Sequence, residues 1–290
     1  MKRLSRRQAL QGAAGVIGLA QASTTALAAA GTPDFRDPVV ALRAHVKTVG
    51  SLGRETVCSF MRLNIYADLG AGNFVPFFTM NNILVDHWRP MGGDQHEMRK
   101  YEVGFFTRFD SHEPLDHFDN PVTGKREAVH QFRLGPVPRV YTPDGVIAMG
   151  FTPKLLPIEV VGERVFLATQ SIESSPDMTR PGETSYVNSF MTLSAPLAQV
   201  ADPAVLNASD VHLQLQNKGR WQRWMGMEGR AGGTVVRGFG SKLASLDALP
   251  PAVRAGARER VPEIFDTDRW TQFVFEDSEF LRRATAPEPR

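Results

Sequence analysis

Histidines and carboxylates are densest in residues 86–133 of the chain. Five of the seven histidines fall there: His87, His96, His112, His117 and His130. A protein metal site needs three or four converging His or carboxylate side chains, usually from a fixed spacing. The segment has no His-x-His, no His-Glu-x-x-His and no helical histidine pair four residues apart. We therefore expect no resident metal. A metal-dependent enzyme that uses His87, His96, His112 or His117 as ligands ranks third among the functional hypotheses, after a cofactor-independent enzyme and a binding protein.

One of these histidines, His130, lies in a predicted strand. Polar and apolar residues alternate along residues 128–134, which places His130 on the inward face with apolar neighbours. An inward histidine is most often a hydrogen-bonded core residue, but beside a carboxylate it suits a general base, because its pKa lies near neutrality. Glu102 and Asp119 are the candidate partners. Residues 119–124, Asp-Asn-Pro-Val-Thr-Gly, also predict a tight turn.

A second predicted strand carries charged residues on one face. The alternation along residues 101–109 places Glu102 and Arg108 together. An inward arginine beside an inward glutamate is costly unless the two pair or an anionic ligand group contacts the arginine. Arg108 is therefore the predicted anion stabiliser, with structural pairing as the alternative. Tyr101 and Tyr186, both in predicted strands, are the candidate proton donors.

Aromatic and thioether side chains are concentrated in Trp-Gln-Arg-Trp-Met-Gly-Met, which begins at Trp221. On a strand, Trp221, Arg223 and Met225 share one face and Trp224 lies opposite. Core packing is one interpretation. The functional one is an apolar wall for an aromatic or terpenoid-sized ligand, with Arg223 available for a carboxylate or cation–π contact. Lys242 is a candidate contact for a phosphate or carboxylate, with a solvated lysine as the simpler interpretation.

The elements that must position these residues are mostly strands. Period-two alternation runs along the chain, with breaks of Gly, Pro, Asn and Asp between the segments. We expect a mainly β fold: an antiparallel, calycin-like β-barrel or a sandwich that encloses a ligand pocket, with a few peripheral helices. A barrel is favoured because closing a sheet removes its edges. Residues 73–80 and 83–88 are predicted as a strand pair around Asn81-Asn82. The predicted helices are 37–49, 196–200, 251–260 and 268–281.

The first thirty residues have the order of a twin-arginine export signal. Ser-Arg-Arg-x-x-Leu begins at Ser5, a short Ala- and Gly-rich apolar stretch follows, and small-x-small sites end at Ala30. We therefore predict a signal peptide at 1–30, a single β-rich domain at 31–283 and a disordered tail at 284–290. The predicted location is periplasmic or secreted, with the twin-arginine translocase as partner during export. The apolar stretch is shorter than a membrane span of roughly 20 residues, so no integral membrane association is expected.

Composition excludes several classes of function. Removing the signal changes the formal charge from +2 to −2, and no run of Lys and Arg remains to favour nucleic acid. The lone Cys58 excludes an internal disulfide and a Cys-based zinc site, and is expected to be a small buried hydrophobe. The chain has no Gly-x-Ser-x-Gly, no P-loop and no haem-attachment motif, and no glycine-rich segment has the strand-turn-helix context of a dinucleotide site. We therefore expect no cofactor.

Several short motifs follow one another in a fixed order between residues 50 and 262. They are Tyr101-Glu102-Val103 with Thr107-Arg108-Phe109, Phe118 to Lys125, Ser185-Tyr186-Val187, Gly219 to Met225, Gly240-Ser241-Lys242 and Leu249-Pro250. In this order and spacing the chain resembles the bacterial and fungal family called domain of unknown function 1838. The resemblance implies a β-rich, ligand-enclosing fold and no general activity. Where the family pattern often has Asn-Asp-Pro, this chain has Gly135-Pro136-Val137-Pro138, so that position is not acidic here.

The function predicted from these residues is that of an exported, cofactor-independent lyase, isomerase or hydrolase. It would act by acid–base chemistry on a small, largely apolar or aromatic molecule, with preorganised donors that stabilise developing charge. The alternative is a non-catalytic protein of the same shape that binds a hydrophobic small molecule.

Overall fold

A computed structural model describes residues 32–148, 153–176 and 184–266, with only the backbone described at 173–176 and 184–186. The predicted signal at 1–30, the predicted helix at 268–281 and the predicted tail at 284–290 lie outside these residues.

Thirteen strands occur within the described ranges. They are β1 (Glu55–Asp68), β2 (Phe74–Gly92), β3 (Gln95–Thr107), β4 (His117–Asp119), β5 (Arg126–Ala128), β6 (Phe132–Thr142), β7 (Gly145–Ala148), β8 (Lys154–Leu155), β9 (Glu159–Val161), β10 (Arg164–Pro176), β11 (Thr184–Pro196), β12 (His212–Gly219) and β13 (Gly233–Leu243). Eleven form one antiparallel sheet, ordered β7-β6-β3-β2-β1-β13-β12-β11-β10-β8, with β9 paired to β10. Strands β4 and β5 form a separate ladder.

The large sheet curls into a nearly closed, barrel-like fold, which confirms the prediction of a mainly β architecture with few short helices. The first long strand and the last one pair with each other, with Leu63 opposite Gly238. Alternate residues of each strand face inward, because successive side chains of a strand point to opposite faces. The largest apolar cluster contains these inward residues, among them Leu63, Met80 and Leu213.

In the described part of the chain, three α-helices lie on this sheet: α1 (Pro38–Val49), α2 (Leu197–Ala201) and α3 (Pro251–Arg260). Short 3₁₀ helices occur at Arg223–Met225, Leu246–Ala248 and Pro262–Phe265. Helix α1 begins where the Asp37 carboxylate accepts hydrogen bonds from the amides of Val39 at 2.8 Å and Val40 at 3.1 Å. The predictions 37–49, 196–200 and 251–260 are therefore confirmed to within a residue or two. Within the described ranges, no helix has the length and apolar character needed to cross a membrane.

Helix α3 covers the outer face of the central strands. Val253 and Ala257 of the helix are buried against Cys58, Tyr101 and Val103. Burial, with a smaller contribution from the Asp86 carboxylate, raises the pKa of the Cys58 thiol to about 11. The prediction of a small buried hydrophobe is therefore confirmed.

The predicted strand pair around Asn81-Asn82 is wrong, because β2 runs through both residues without a turn. Both asparagines are buried, and both amides have partners inside the fold. An Arg62 nitrogen, Nη1, donates to Asn81 Oδ1 at 2.7 Å. The Asn82 Nδ2 group donates to Glu102 Oε1 at 2.8 Å. Paired side chains of this kind let the strand continue where sequence alone favours a turn.

The predicted strand at 128–134 is also interrupted. Strand β5 ends at Ala128 and β6 begins at Phe132, so the residues between them connect two different sheets. The Gln131 side chain occupies the gap: its Oε1 accepts from the Phe106 amide at 2.7 Å, and its Nε2 donates to the Leu115 carbonyl at 2.7 Å. Because a side chain satisfies these backbone groups, no strand pairing is needed there.

The predicted strand that begins at Trp221 is a 3₁₀ turn. The helix Arg223–Met225 ends at Gly226, which adopts a left-handed φ of 65°. This conformation suits glycine and ends the turn. Trp221 and Met225 are buried, whereas Arg223 is exposed. The expected alternation of one inward and one outward face therefore does not hold here.

Candidate functional site

The barrel contains a partly open cavity of about 480 Å³. Its apolar lining includes alternate, inward-facing residues of five strands: Leu63, Ile65, Met80, Phe106, Leu215 and Val236. Period-two spacing explains why these residues meet, because every second side chain of a strand faces the interior. Cavities of this size and apolar character are typical of small-molecule sites.

Glycines of β13 shape the wall opposite β1. Gly238 lies across from Leu63 and Gly240 across from Met61 in the ladder. A Cβ on Gly238 would collide with the Leu63 side chain, and one on Gly240 would collide with the β1 backbone. The two glycines therefore allow the close approach of β1 and β13 at this point.

A carboxylate, Glu102, lies among the apolar residues that line the cavity. Its Oε1 accepts a hydrogen bond from Asn82 Nδ2 at 2.8 Å. Its Oε2 lies 4.0 Å from Lys100 Nζ, which in turn lies 3.9 Å from Asp86 Oδ1. The side chains of Glu102, Lys100 and Asp86 are only 17%, 9% and 5% exposed. These four residues, Asn82, Asp86, Lys100 and Glu102, are called the polar floor below; of the four, Glu102 is the one that lines the cavity.

Burial dominates the electrostatics of the polar floor. Burial raises the pKa of Asp86 above its ordinary value, although the cations Lys100 and Arg139 act to lower it. A buried carboxyl with a raised pKa has a stronger tendency to hold its proton than one in water. The floor therefore carries a single ammonium between two carboxyl groups, of which Glu102 is the more exposed.

The structure separates Glu102 from two of its predicted partners. Strand β3 ends at Thr107, and Arg108 is exposed beyond it, so the predicted Glu102–Arg108 pair is wrong. Tyr101 faces the opposite side of the sheet, where its hydroxyl donates to Glu263 Oε1 at 3.4 Å. Burial, with the Glu263 charge, raises the pKa of Tyr101 to about 12. The cation beside Glu102 is Lys100, which the sequence did not single out.

The structure places Lys242 in a tethering position. Its ammonium donates to the carbonyls of Lys47 at 3.0 Å, Gly50 at 2.9 Å and Ala208 at 3.0 Å. Burial lowers the pKa of Lys242 to about 7, against the raising influence of Glu55 and Asp86. All three ammonium hydrogens are therefore engaged by backbone. Neither the predicted phosphate or carboxylate contact nor the solvated alternative describes this geometry.

His130 is exposed, so the prediction of an inward side chain is wrong. It lines a separate surface pocket of about 410 Å³ together with Glu127, Arg223 and Trp224. Three predicted site residues therefore meet there, but their carboxylate neighbour is Glu127 rather than Glu102 or Asp119. No spacing rule marks Glu127 in the sequence, because β4–β5 pairing and the 3₁₀ turn bring it there.

Trp224 links the two pockets. Its ring stacks on Phe78 at a centroid distance of 5.4 Å and packs on Phe106 at 5.1 Å. Phe106 lines the barrel cavity, and so does Met225. Of the residues predicted as an apolar wall, Met225 therefore lines the barrel cavity, whereas Trp224 lines the surface pocket. Trp221 is instead buried in the core, where its Nε1 donates to the Arg230 carbonyl at 3.1 Å.

Two further predicted candidates are Asp119 and Tyr186. Asp119 is exposed and lies 3.7 Å from Arg126 in the β4–β5 ladder. The predicted turn is confirmed through Asn120, whose Oδ1 accepts from the amides of Val122 at 2.8 Å and Thr123 at 3.1 Å. The Tyr186 backbone pairs with Ser174 between β11 and β10, and its side chain lies outside the described residues.

The histidines are dispersed over the fold. The His87 ring lies 2.7 Å from the Thr56 hydroxyl, and the His112 ring lies 2.9 Å from an Arg62 nitrogen. His96 is buried near one end of β3, and His117 is exposed in β4. Within residues 32–148, 153–176 and 184–266, no group of three or more His, Cys, Asp or Glu side chains is arranged to hold a metal ion.

The chain matches the model of a protein family. The model of a family described as "Protein of unknown function (DUF1838)" matches residues 62–273. The matched region is more than half of the chain and contains the polar floor and the cavity lining. No curated protein and no solved structure matches the chain.

Proposed function

The chain belongs to the DUF1838 family of proteins of unknown function, and we propose that it binds a small, largely apolar molecule inside the barrel and moves a proton on it with Glu102. The observation that carries the proposal is a mostly buried carboxylate in the wall of a mostly apolar cavity of about 480 Å³. The description of the family names no activity, so the proposal rests on geometry.

The surroundings of Glu102 support a role in proton transfer. The Asn82 amide fixes one carboxylate oxygen at 2.8 Å and leaves the other toward the Lys100 ammonium at 4.0 Å. A positioned carboxylate with restricted access to water is suited to general acid–base catalysis. In the proposed reaction the bound molecule loses a proton to Glu102, a C–H or O–H bond breaks and a carboxyl O–H forms. The proton then returns to the same molecule, as in an isomerase, or protonates the group that departs when a second bond breaks, as in a lyase.

The surface pocket with His130 is not the proposed reaction site. Its histidine, the carboxylate Glu127 and Arg223 supply an acid, a base and a cation on one surface. We propose the barrel as the reaction site, because its cavity combines an apolar lining with a carboxylate of low exposure. His130→Ala is accordingly expected to leave turnover in the barrel unchanged.

Solvent isotope exchange at carbon tests this proposal, because hydroxyl hydrogens exchange with water without protein. The purified chain is incubated with small-molecule extracts, the captured molecule is identified by mass spectrometry, and its deuterium uptake is followed in D₂O. Wild type should promote exchange, and Glu102→Gln should slow it by about 10²–10⁴-fold, the usual contribution of an acid–base group. Glu259→Gln, on the solvent-exposed face of α3, is the matched control and should exchange like wild type.

Two outcomes would contradict parts of this proposal. Capture of a molecule in the barrel with no exchange above the rate without protein would leave a non-catalytic binding protein as the function. Exchange that survives Glu102→Gln, with the fold intact by circular dichroism, would exclude Glu102 as the catalytic residue.

We also propose that the chain is exported by the twin-arginine translocase to the periplasm or beyond. The support is the order of basic, apolar and small residues in residues 1–30. Replacing Arg6 and Arg7 together with Lys should retain the chain in the cytoplasmic fraction of a bacterial host, whereas Lys2→Gln should leave export intact. Export of the double variant at the wild-type level would contradict the proposal.

A further inference from the structure

The polar floor has more hydrogen-bond acceptors than donors. Two carboxyl groups and one amide oxygen offer about ten lone-pair positions, whereas the Asn82 amide and the Lys100 ammonium supply about five hydrogens. One hydrogen bond, from Asn82 Nδ2 to Glu102 Oε1 at 2.8 Å, joins these groups. Among the described residues, Asn82 Oδ1 and Asp86 Oδ1 are buried and accept no hydrogen bond. The Glu102 carboxylate, which lines the cavity, therefore favours a ligand that brings a donor.

The position of Lys100 determines whether the donor group of the ligand can carry a positive charge. Its ammonium lies 4.0 Å from Glu102 Oε2, and at such distances in a partly buried site two like charges repel strongly. A cationic amine bound to Glu102 would lie beside Lys100 and experience this repulsion. A neutral donor does not.

The same geometry also calls for an acceptor. Lys100 Nζ has the two carboxylate oxygens at 3.9 and 4.0 Å, beyond the usual hydrogen-bond length. An oxygen could lie about 2.8 Å from both Glu102 Oε2 and Lys100 Nζ. The Oε2–oxygen–Nζ angle would then be roughly 90°, within the broad range that hydroxyl groups accept. A hydroxyl donates to Glu102 and accepts from Lys100 at once.

We propose that the molecule bound in the barrel is an alcohol or a phenol, whose apolar body fills the cavity and whose hydroxyl group bridges Glu102 and Lys100. This inference rests on the proposed function, because it assumes that the barrel cavity is the binding site. It adds the chemical class of the ligand and its orientation, with the hydroxyl at the polar floor.

Three aromatic probes of nearly equal size test the inference: 2-naphthol, 2-methoxynaphthalene and naphthalene. The first can donate and accept, the second can only accept, and the third can do neither. Affinities are measured by equilibrium dialysis with the purified chain at pH 7. We expect 2-naphthol to bind at least tenfold more tightly than either of the other two. A fourth probe, 2-naphthylmethylammonium, tests the charge and should bind more weakly than 2-naphthol.

Variants connect the selectivity to the polar floor. Glu102→Leu should reduce the preference for 2-naphthol over naphthalene to less than threefold and leave naphthalene binding intact, with the fold checked by circular dichroism. Glu102→Gln presents an amide that can donate a hydrogen bond. The affinity for 2-methoxynaphthalene should therefore rise relative to the affinity for 2-naphthol. Glu259→Gln should keep the wild-type ranking.

The outcomes separate the two proposals. Equal affinity for the three neutral probes would leave the barrel as an apolar binding site and overturn the hydroxyl inference. Tighter binding of the ammonium probe than of 2-naphthol would overturn it as well. If no probe bound to a folded chain, the barrel would not be the site, and the proposed function would fall together with the inference.

Discussion

At the residue scale, Lys242 shows how a charged side chain can act as structure. Its ammonium joins β13 to the end of α1 through the carbonyls of Lys47 and Gly50, and to the chain before β12 through Ala208. The ammonium supplies donors that the last carbonyls of a helix otherwise lack. A functional interpretation based on the Gly-Ser-Lys motif misses this role, because the acceptors lie far away in the sequence.

Lys242→Met keeps the length of the side chain and removes its three donors. We expect the free energy of unfolding to fall by about 2–4 kcal/mol, because buried carbonyls lose their partners. Urea denaturation followed by circular dichroism measures the change. Lys154→Met, at an exposed position of β8, is the control and should shift stability by less than about 0.5 kcal/mol. Equal stability of the two variants would contradict the tethering role.

His45 on α1 makes stability depend on pH. Burial lowers its pKa to about 4, whereas an unfolded chain takes up that proton at about pH 6.5. As pH falls below about 6.5 the unfolded state is protonated first, so stability is present above that pH and is lost progressively toward about pH 4. His45→Leu should therefore flatten the decline in unfolding free energy over this range. A variant with the same pH dependence as wild type would exclude this residue as the cause.

At the scale of elements, local signals predicted the helices better than the strands around the site. Asp37 and Pro38 mark the start of α1 within the sequence, because the cap and the first turn are adjacent residues. Asn81 and Asn82 carry an equally clear turn signal, yet their partners Arg62 and Glu102 lie on neighbouring strands. A strand that survives through such partners cannot be recognised from its own residues.

In the candidate site, too, local spacing was predicted correctly and contacts between strands were not. The alternation in β3 correctly placed Glu102 on the inward face, because that property depends on local spacing. Its neighbours Asn82 and Lys100 were missed, since the register between β2 and β3 decides which residues meet. His130 was misplaced because the side chain of Gln131 replaces strand pairing at that point. The local period of a strand therefore predicts which way a side chain faces, whereas the pairing between strands decides which side chains meet.

The turn after β4 provides a prediction at this scale. The Asn120 side chain accepts two backbone hydrogen bonds within the turn and donates to the Met225 carbonyl at 2.7 Å, which joins the β4–β5 ladder to the 3₁₀ helix. Asn120→Ala should lower the unfolding free energy by about 2–3 kcal/mol, because three backbone groups lose their partner. Asp119→Ala, next to it and exposed, should cost less than about 1 kcal/mol. Comparable losses in thermal unfolding would refute the proposed bridge.

At the scale of the whole molecule, the cavity depends on side-chain volume in the barrel wall. Leu215→Phe enlarges an inward side chain that lines the cavity. We expect affinity for 2-naphthol to fall at least tenfold while stability changes by less than about 1.5 kcal/mol, because a partly empty cavity tolerates added volume. Gln216→Phe, the next residue and exposed, should bind like wild type. Unchanged affinity in Leu215→Phe would place the probe elsewhere.

The pairing of β1 with β13 also sets the order in which the chain can be completed during synthesis. Cys58 pairs with Leu243 and Asp68 with Gly233, so the first long strand meets its second neighbour only when the last one has emerged. Until then β1 has one edge without its final partner, and such edges invite pairing with other chains. Because contacts of long sequence separation form slowly, the nascent chain should depend on a holding chaperone during synthesis. Moving the chain ends by circular permutation, so that β13 precedes β1, should shorten that interval.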